Sequence, residues 1–482
     1  MPKFKIPNRD QLFLIMNVDM NSVAPVGSAL WTIDNIIERL DTSEIEKEYI
    51  KEEWKPGRDP FHPKTILKVC LNAIHNCRFS LRKMEYDTNF NLGYIFLTGN
   101  EAIDHSTIGK FLVNFKEDVV EIYSQVVGIC TEKDLIEFEL LGIDSVKLKA
   151  NASYKQSRNK KSIEKEEEKI RARLKEIIEN VDRDDLEEKE KEALEFRKNK
   201  LEEASKILEE RIKAASKNKS ELERAKIEKK LKVNITDPDA HIMEQRNGER
   251  NPAYSVTTTV DKKTDIITHF QVNEQDNDVL ALMSAIKGSE DKSGGRHDAV
   301  AADSGFGSYE NLEEMEAEKI NGLIPDRRMR VEERGECAKG KYDKSNFKYD
   351  KEKNNYICPE GKILDWQGTV EMDGRTKEKY SGEKVCSDCE NKEQCTKADV
   401  RIIMRDTNEE VKDRMREKLS KEENKELYDQ RAHPCESPYG IVKYNWKVLN
   451  IMRRGRAKAM MEFALIFMLH NILKLAPIVS SG

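Results

Sequence analysis

Three carboxylates stand in three separate local contexts. Asp144 follows Leu-Gly-Ile and precedes Ser-Val-Lys-Leu-Lys-Ala-Asn, Asp303 closes Val-Ala-Ala and precedes Ser-Gly-Phe, and Glu436 sits in Cys-Glu-Ser-Pro-Tyr-Gly ahead of a basic tract. Each aspartate closes a short apolar run of β character, whereas the glutamate falls in a helical pattern. Taken singly, each aspartate is an ordinary turn former. Placed at the ends of neighbouring strands in one sheet, they repel each other, and a cation is the natural resolution. Three hard oxygen donors converging on one point suit Mg²⁺ or Mn²⁺, which keep open positions for water and phosphate. The chemistry such a site would do is metal-assisted cutting and joining of a phosphodiester backbone.

The stretch around Glu436 reads Tyr428, Arg431, Glu436, Lys443. Glu436 and Lys443 are seven apart and would share a helical face. Pro438 interrupts a continuous helix, which places Glu436 just before a new helix start. From Ser437 to Met461 there is no acid, while Lys443, Lys447, Arg453, Arg454, Arg456 and Lys458 are basic and Tyr439, Tyr444 and Trp446 are interleaved. That mixture suits phosphate contacts and base stacking; the plainer reading is a solvated basic face. Glu462 is a fallback third acid, but its apolar helical setting reads as structural. His269 lies in a strand pattern and reads as packed, while His433 either contacts DNA or caps.

A second constellation is made of thiols. Cys358 opens Cys-Pro-Glu-Gly, and Cys386-Ser-Asp-Cys389 and Cys395 follow. These four are either a structural Zn²⁺ knuckle or reduced, unliganded thiols, and Cys337 is a substitute fourth ligand. Cys70, Cys77, Cys130 and Cys435 read as ordinary core or surface thiols.

The elements that must position these groups form an α/β pattern. Residues 1–130 read as a helical domain. Pro60-Phe-His-Pro63 opens a helix with Ile66, Leu67, Val69, Leu71 and Ile74. At Asp104-His-Ser-Thr107, Ser106 or Thr107 caps a helix with Ile108, Phe111, Leu112 and Phe115. Such capped short helices fit a helix-turn-helix-like DNA-binding domain or a generic bundle. Residues 135–150 alternate like a strand. The interval from Gly142 to Pro238 then holds neither glycine nor proline. Ile163, Ile170, Leu174, Ile177 and Val181 follow 3-and-4 spacing, and Leu194, Leu201, Leu208, Ala215 and Leu222 recur every seventh residue. With a turn at Val181-Asp-Arg-Asp-Asp, this predicts an antiparallel helical hairpin over 156–232, each arm roughly 30–55 Å long. It is a solvated spacer, a dimerisation arm or a clamp on DNA ends.

Strand patterns resume at Tyr254–Val260, turn at Asp261-Lys-Lys-Thr-Asp265 and return at Ile266–Val272. A helix at Val279–Ile286, a buried strand at Ala299–Ala302 and an extended Gly322-Leu-Ile-Pro-Asp follow. Strand, hairpin, helix, strand, with acids closing the first and last strands, is the order of a ribonuclease-H-like catalytic core, here over 131–155 and 233–330. A cysteine-containing insertion spans 331–405, and 406–482 returns the third acid and the basic helix.

The 482 residues allow two or three domains. The net charge of −6 gives no global signature of a nucleic-acid binder, so DNA contact would fall to local basic patches. The start, Met-Pro-Lys-Phe-Lys-Ile-Pro, has no apolar signal core. The most apolar run, Phe463–Leu469, is bracketed by Glu462 and His470 and reads as a buried helix. Nine cysteines without a secretion signal point to a reducing compartment. The expectation is a soluble, cytoplasmic, nucleoid-associated protein.

The chain resembles bacterial insertion-sequence transposases of the DDE superfamily, in the branch with a Y-x2-R…E-x6-K signature. Pro-Phe-His-Pro, Asp104-His-Ser-Thr-Ile, Ile-Asp-Ser-Val-Lys-Leu-Lys-Ala-Asn-Ala, Thr236-Asp-Pro-Asp-Ala with Tyr254, and Ala-Asp-Ser-Gly-Phe carry the resemblance. So do Tyr428, Arg431, Glu436 and Lys443, then Arg454-Gly455 and His470-Asn471. Four residues separate Arg431 from Glu436, one more than in related branches, which alters the angle at which Arg431 would meet DNA. The resemblance implies catalytic acids at Asp144, Asp303 and Glu436 holding two Mg²⁺ (or Mn²⁺) ions about 3.5–4 Å apart. It implies DNA contacts from Tyr428, Arg431 and Lys443, with Trp446 against an unstacked base; Lys447, Arg453, Arg454 and Arg456 belong to the same basic tract. The expected substrate is double-stranded DNA, terminal inverted repeats and target, handled by a homodimer in a synaptic complex. Two other readings stay open: a ribonuclease-H-like nuclease without strand transfer, and a domesticated, inactive DNA-binding protein.

Overall fold

The structure is a computed structural model of the chain. It describes residues 5, 20–51, 59–179, 185–217, 219–245, 247–273, 278–326, 329, 340–372 and 375–480. Residues 181–184 of the expected hairpin turn, and Cys337, lie outside the described residues. The chain divides into two compact units, Met1–His297 with Ala432–Gly482, and Asp298–Arg431. Both mix helix and strand or pair strands with helices, so the fold is α/β.

The first unit begins with short helices. Pro63 stands at the first position of helix Pro63–His75, where the missing N–H costs nothing, and His62 caps it through Nδ1. Helix His105–Asn114 is capped by Asp104, whose carboxylate accepts the N–H groups of Ser106 and Thr107 at 2.8 and 3.0 Å. The cap is therefore Asp104 and not Ser106 or Thr107; a carboxylate accepts both N–H groups and both hydroxyls at once. Helix α1 (Lys116–Glu132) leads into strand β1 (Leu140–Lys149).

The insertion follows. Helices α2 (Lys160–Glu179) and α3 (Asp185–Ala215) run antiparallel, since Arg173 pairs with Glu190 and Arg197 with Glu166. Ile163 and Ile170 face Leu201, Ala204 and Leu208 along the seam. A third helix, Glu221–Lys230, was not expected. The heptad stops at Ala215 because Ser220 and Glu223 form a capping box that starts a new helix, which leaves Leu222 77% exposed. A two-residue ladder, Ser157–Arg158 with Val233–Asn234, closes the base of the insertion.

Strands β2 (His241–Glu244), β3 (Arg250–Asp261) and β4 (Ile267–Val272) complete an antiparallel sheet around β3. β1 lies along one edge of β3, with Asp144 opposite Thr258. The other edge is shared by β2 at the start of β3 and β4 at its end. Helix α4 (Leu282–Ser293) packs on β4, and His269 is wedged against Gly288, where a Cβ would meet its ring at 2.5 Å. Burial pushes the His269 imidazole down to about 4, so it is a packed neutral ring, as its strand position suggested.

The chain returns through helix α5 (Ala432–Gly440), which passes directly into a π-helical turn at Ile441–Asn445, and ends in helix α6 (Arg456–Val479). α6 is long and apolar enough to cross a membrane by length and composition alone. Its residues Met461–Ile472 are instead buried in protein, against α1, helices Ala29–Arg39 and Pro63–His75, and β4. Two polar residues lock it there. The Asn471 side chain donates to the Ile267 carbonyl at 2.8 Å and accepts the Ile267 N–H at 3.0 Å, while His470 Nε2 meets the Asp265 carbonyl at 2.8 Å.

The second unit holds a parallel pair, β5 (Ala299–Ala302) with β6 (Gly322–Leu323). Helix Tyr309–Ala317 packs on helix Glu409–Leu419. A five-stranded antiparallel sheet contains β7 (Lys348–Asp350), β8 (Asn355–Ile357), β9 (Ile363–Met372), β10 (Arg375–Ser381) and β11 (Ile402–Asp406), in the order β11-β10-β9-β8-β7. Tyr349, Tyr356 and Tyr380 form its aromatic centre.

Candidate active site

Alternation along β1 sets where Asp144 points. Gly142, Asp144, Val146 and Leu148 share one face, and Val146 and Leu148 enter the main core. Helix α5 lies on that face. A Cβ on Gly142 would meet Cys435 Sγ at 2.9 Å, so only glycine admits the helix this closely. Tyr439, buried, donates its hydroxyl to the Asp144 carbonyl at 3.3 Å and shares a 2.6 Å hydrogen bond with Thr258, the cross-strand partner of Asp144. Glu436, one turn before Tyr439 on the same helix, is exposed, and Asp144 is half-buried. Within the first unit, two acids almost three hundred positions apart in sequence therefore stand on a strand and on the helix that covers it.

Pro438 lies inside α5, so Glu436 is a mid-helix residue and not the start of a new one. Pro438 lacks the N–H that would bond the Pro434 carbonyl, and three residues later the helix widens into the π-turn that carries Lys443. Glu436 and Lys443 accordingly do not share a regular α-helical face; the register changes between them.

A residue the sequence reading missed holds α5 in place. Asp265, at φ 60° in the β3–β4 turn, accepts from Ser437 Oγ at 3.1 Å and pairs with His433 Nδ1 at 3.2 Å and Lys474 Nζ at 3.3 Å. His433 and Ser437 are one turn apart and flank Glu436. The spacing of those two polar residues on one helical face was the available signal. His433 thus pairs with Asp265 while its side chain stays largely exposed.

Asp303, in the second unit, is half-exposed just past β5, and its carboxylate accepts the Ser304 N–H of a short 3₁₀ turn. Arg431 and Tyr428 belong to the same unit, with the guanidinium 5.5 Å from the ring centroid, a cation–π distance. Among the described residues, no group of three or more His, Cys, Asp or Glu side chains is gathered so as to hold a metal ion. The donor set itself, carboxylate oxygens only, is that of a hard divalent cation.

The basic tract divides into two kinds of residue. Trp446 is 4% exposed and belongs to the main core, so its indole is not presented to a DNA base; Tyr444, 80% exposed, is the accessible aromatic there. Arg453 turns inward to buried Glu462, 3.6 Å away. Glu462 also accepts the Met452 and Arg453 N–H groups, which makes it a structural anchor; burial raises its carboxyl, opposed by Arg453. Arg454 Nε donates to the Asn151 carbonyl at 2.9 Å, and an Arg456 Nη donates to the Val272 carbonyl at 3.0 Å. Lys443 is half-exposed and Lys447 exposed, the latter at φ 55°.

The Thr236-Asp-Pro-Asp motif explains how this segment is held. Both Asp237 oxygens accept the Tyr254 hydroxyl, at 2.8 and 2.9 Å, and one accepts the Gly455 N–H at 3.1 Å. Asp239 accepts the Arg456 N–H at 2.8 Å. Two acids thus sit at the positive end of the α6 dipole, and desolvation raises the Asp237 carboxyl.

In the second unit Cys358, Cys386, Cys389 and Cys395 line one small cavity. The Lys362 N–H points at Cys358 Sγ at 3.3 Å. Burial raises the Cys395 thiol and Arg401 lowers it, while the three other thiols each raise it. A soft four-sulfur donor set matches zinc in type. Buried Cys70, Cys130 and Cys435 are core thiols, as read.

Two family models match the chain. A transposase DDE domain matches residues 357–476, and a transposase domain matches residues 19–114. The DDE match includes Glu436 and the four cysteines and begins after both aspartates. No curated protein and no solved structure matches. An amino-terminal transposase domain and a carboxy-terminal DDE domain in one chain support an insertion-sequence DDE transposase.

Proposed function

We propose that this transposase cleaves DNA at the terminal inverted repeats of its element and joins the ends to target DNA, with Asp144, Asp303 and Glu436 as its catalytic acids. The reading takes the core as ribonuclease-H-like, interrupted by the helical hairpin and by the cysteine-containing insertion, and puts the chain in the Y-x2-R…E-x6-K branch. The helical domain over 1–130 binds the repeat, and two protomers synapse two ends. The observation that carries it is the seat of α5: Gly142, Tyr439, Thr258 and Asp265 fix the helix bearing Glu436 on the β1 face that bears Asp144.

The three carboxylates would hold two Mg²⁺ or Mn²⁺ ions. When bound, those ions polarise the phosphoryl group and make water or a DNA 3′-hydroxyl a competent nucleophile. Lys443 and Arg431 hold phosphates near the cut, Tyr428 packs against the DNA end, and Lys447 and Arg454 add backbone contacts. No protein nucleophile is needed. The four cysteines would hold a structural Zn²⁺ that staples the insertion; zinc measured on purified protein falls on Cys386→Ser if so, and stays at zero throughout if the thiols are unliganded.

A labelled end fragment incubated with protein and Mg²⁺ tests the reading. Strand-transfer product is the expected result. Cleavage without joining points to a plain nuclease, and a mobility shift without cutting to an inactive DNA-binding protein.

A further inference from the structure

Along β1, one residue past Asp144, an open groove of about 670 Å³ begins at Ser145 and is lined by Lys147, Lys149 and Lys443. A second hollow of about 540 Å³ continues it beyond Lys149, past Asn151 and Asn450 to Arg454. Lys149 lines both, so the two form one track. Its floor is rigid. Residue Asn450 bridges Lys149 in parallel register, the Ile451 N–H donates to the Lys149 carbonyl at 2.8 Å, and Asn151 Nδ2 donates to the Met452 carbonyl at 2.7 Å.

The track is charged against the trend of the chain. Four cations line it against one carboxylate, Glu244, although the protein as a whole carries −6. Most other polar lining groups are amides and hydroxyls, the neutral donors that contact phosphate and sugar. Lys147 and Lys149 alternate with buried Val146 and Leu148, so both project from one face of the strand, the face opposite the Asp144 side chain. Residues two apart on a strand are about 6.6 Å apart, close to the separation of neighbouring phosphates on an extended nucleic-acid strand. Lys149 has an acidic neighbour, Glu249, at 3.5 Å, an exposed pair weak enough to be exchanged for a phosphate.

We infer that this track holds the sugar-phosphate backbone of one DNA strand where it runs along β1, with Lys147 and Lys149 as its central phosphate contacts. The inference rests on the DNA-cleaving reading above and adds residues outside the acid-free basic tract.

The test compares three full-length proteins on a fluorescent mixed-sequence DNA duplex across a salt series: wild type, Lys147→Ala/Lys149→Ala, and a control with the same charge loss elsewhere, Lys175→Ala/Lys384→Ala. The control lysines are exposed and far from the track in sequence. Losing two phosphate contacts should flatten the slope of log affinity against log salt by about 2 and weaken binding on the order of tenfold near 0.1 M salt. The control should match wild type. Equal slopes and affinities in all three, or an equal loss in the control, overturn the track while leaving the DNA reading intact. A loss seen with RNA but not with DNA overturns it too. Failure of wild type to bind any duplex in a salt-dependent way removes the DNA reading and the track together. Lys147 is exposed, so the thermal transition of the variant should equal wild type; a lowered transition is answered by repeating the series with Lys147→Gln/Lys149→Gln.

Discussion

Helix α6 and the α2–α3 pair are both long helical features, and they are stabilised in opposite ways. α6 is apolar nearly all round and is fixed by a few buried polar residues, Asn471, His470 and Glu462, each bonded to backbone groups. α2 and α3 bury one narrow seam and cover the rest with ion pairs such as Arg197–Glu166 and Arg173–Glu190. The first arrangement fixes geometry, and through Lys474 and Asp265 it reaches the helix that bears Glu436. The second tolerates substitution, and it lies in the insertion. Buried polar groups are costly to disturb because their partners cannot recover water, whereas exposed pairs exchange with solvent.

The sharpest way to break this contrast is Asn471→Ala. It strands the buried Ile267 N–H, while the Ile267 carbonyl keeps the Tyr123 hydroxyl, and should cost about 1–3 kcal/mol in denaturant unfolding of the first unit. A loss below about 1 kcal/mol would mean that the α6–β4 junction finds other partners. Leu201→Ala, at the seam of the hairpin, should cost about 2–4 kcal/mol. That loss should appear as faster amide exchange across 163–212 with α6 unchanged.

Next comes pH. Burial holds the His470 imidazole at about 4, below its ordinary value near 6.5. The unfolded chain therefore binds the extra proton first, and the stability from neutral His470 is present above pH 6.5 and lost as pH falls toward 4. Between pH 7.5 and 5.5 this amounts to about 1 kcal/mol. His470→Gln keeps a donor for the Asp265 carbonyl and should remove that part of the slope in urea titrations at the two pH values; an unchanged slope would assign the pH dependence to other groups. The smallest effect belongs to Arg197→Ala, which should change stability by less than about 1 kcal/mol and less still at high salt.

Much of this was legible because burial imposes period. The presence of the first strand, the β3–β4 hairpin and the buried character of Phe463–Leu469 follow from apolar spacing alone, although the first strand runs on to Lys149 and puts Asp144 in its middle, not at its end. The helical insertion was legible from its heptads up to Ala215, after which a capping box outweighs the repeat. What the sequence hid depends on contacts between distant segments. Trp446 and Arg453 look like DNA contacts in a basic tract, yet one fills the core and the other neutralises Glu462. Pro438 looks like a helix breaker, yet α5 runs through it and relaxes in a π-turn. Asp265 looks like a turn residue, and its grip on His433, Ser437 and Lys474 appears only when the chain has folded. The Asp237 motif was recognised without its job, which is to seat the start of α6.

The central claim is that Asp144, Asp303 and Glu436 act as one metal-holding unit. The direct measurement is Mg²⁺-dependent cleavage of a labelled end fragment by Asp144→Asn, Asp303→Asn, Glu436→Gln and the Asp144→Asn/Glu436→Gln double variant, with end binding followed by mobility shift. The account predicts that each single variant loses cleavage by about a thousandfold or more, that the double is no worse than either single, and that binding persists. Cleavage near the wild-type rate by any one of the single variants would contradict it.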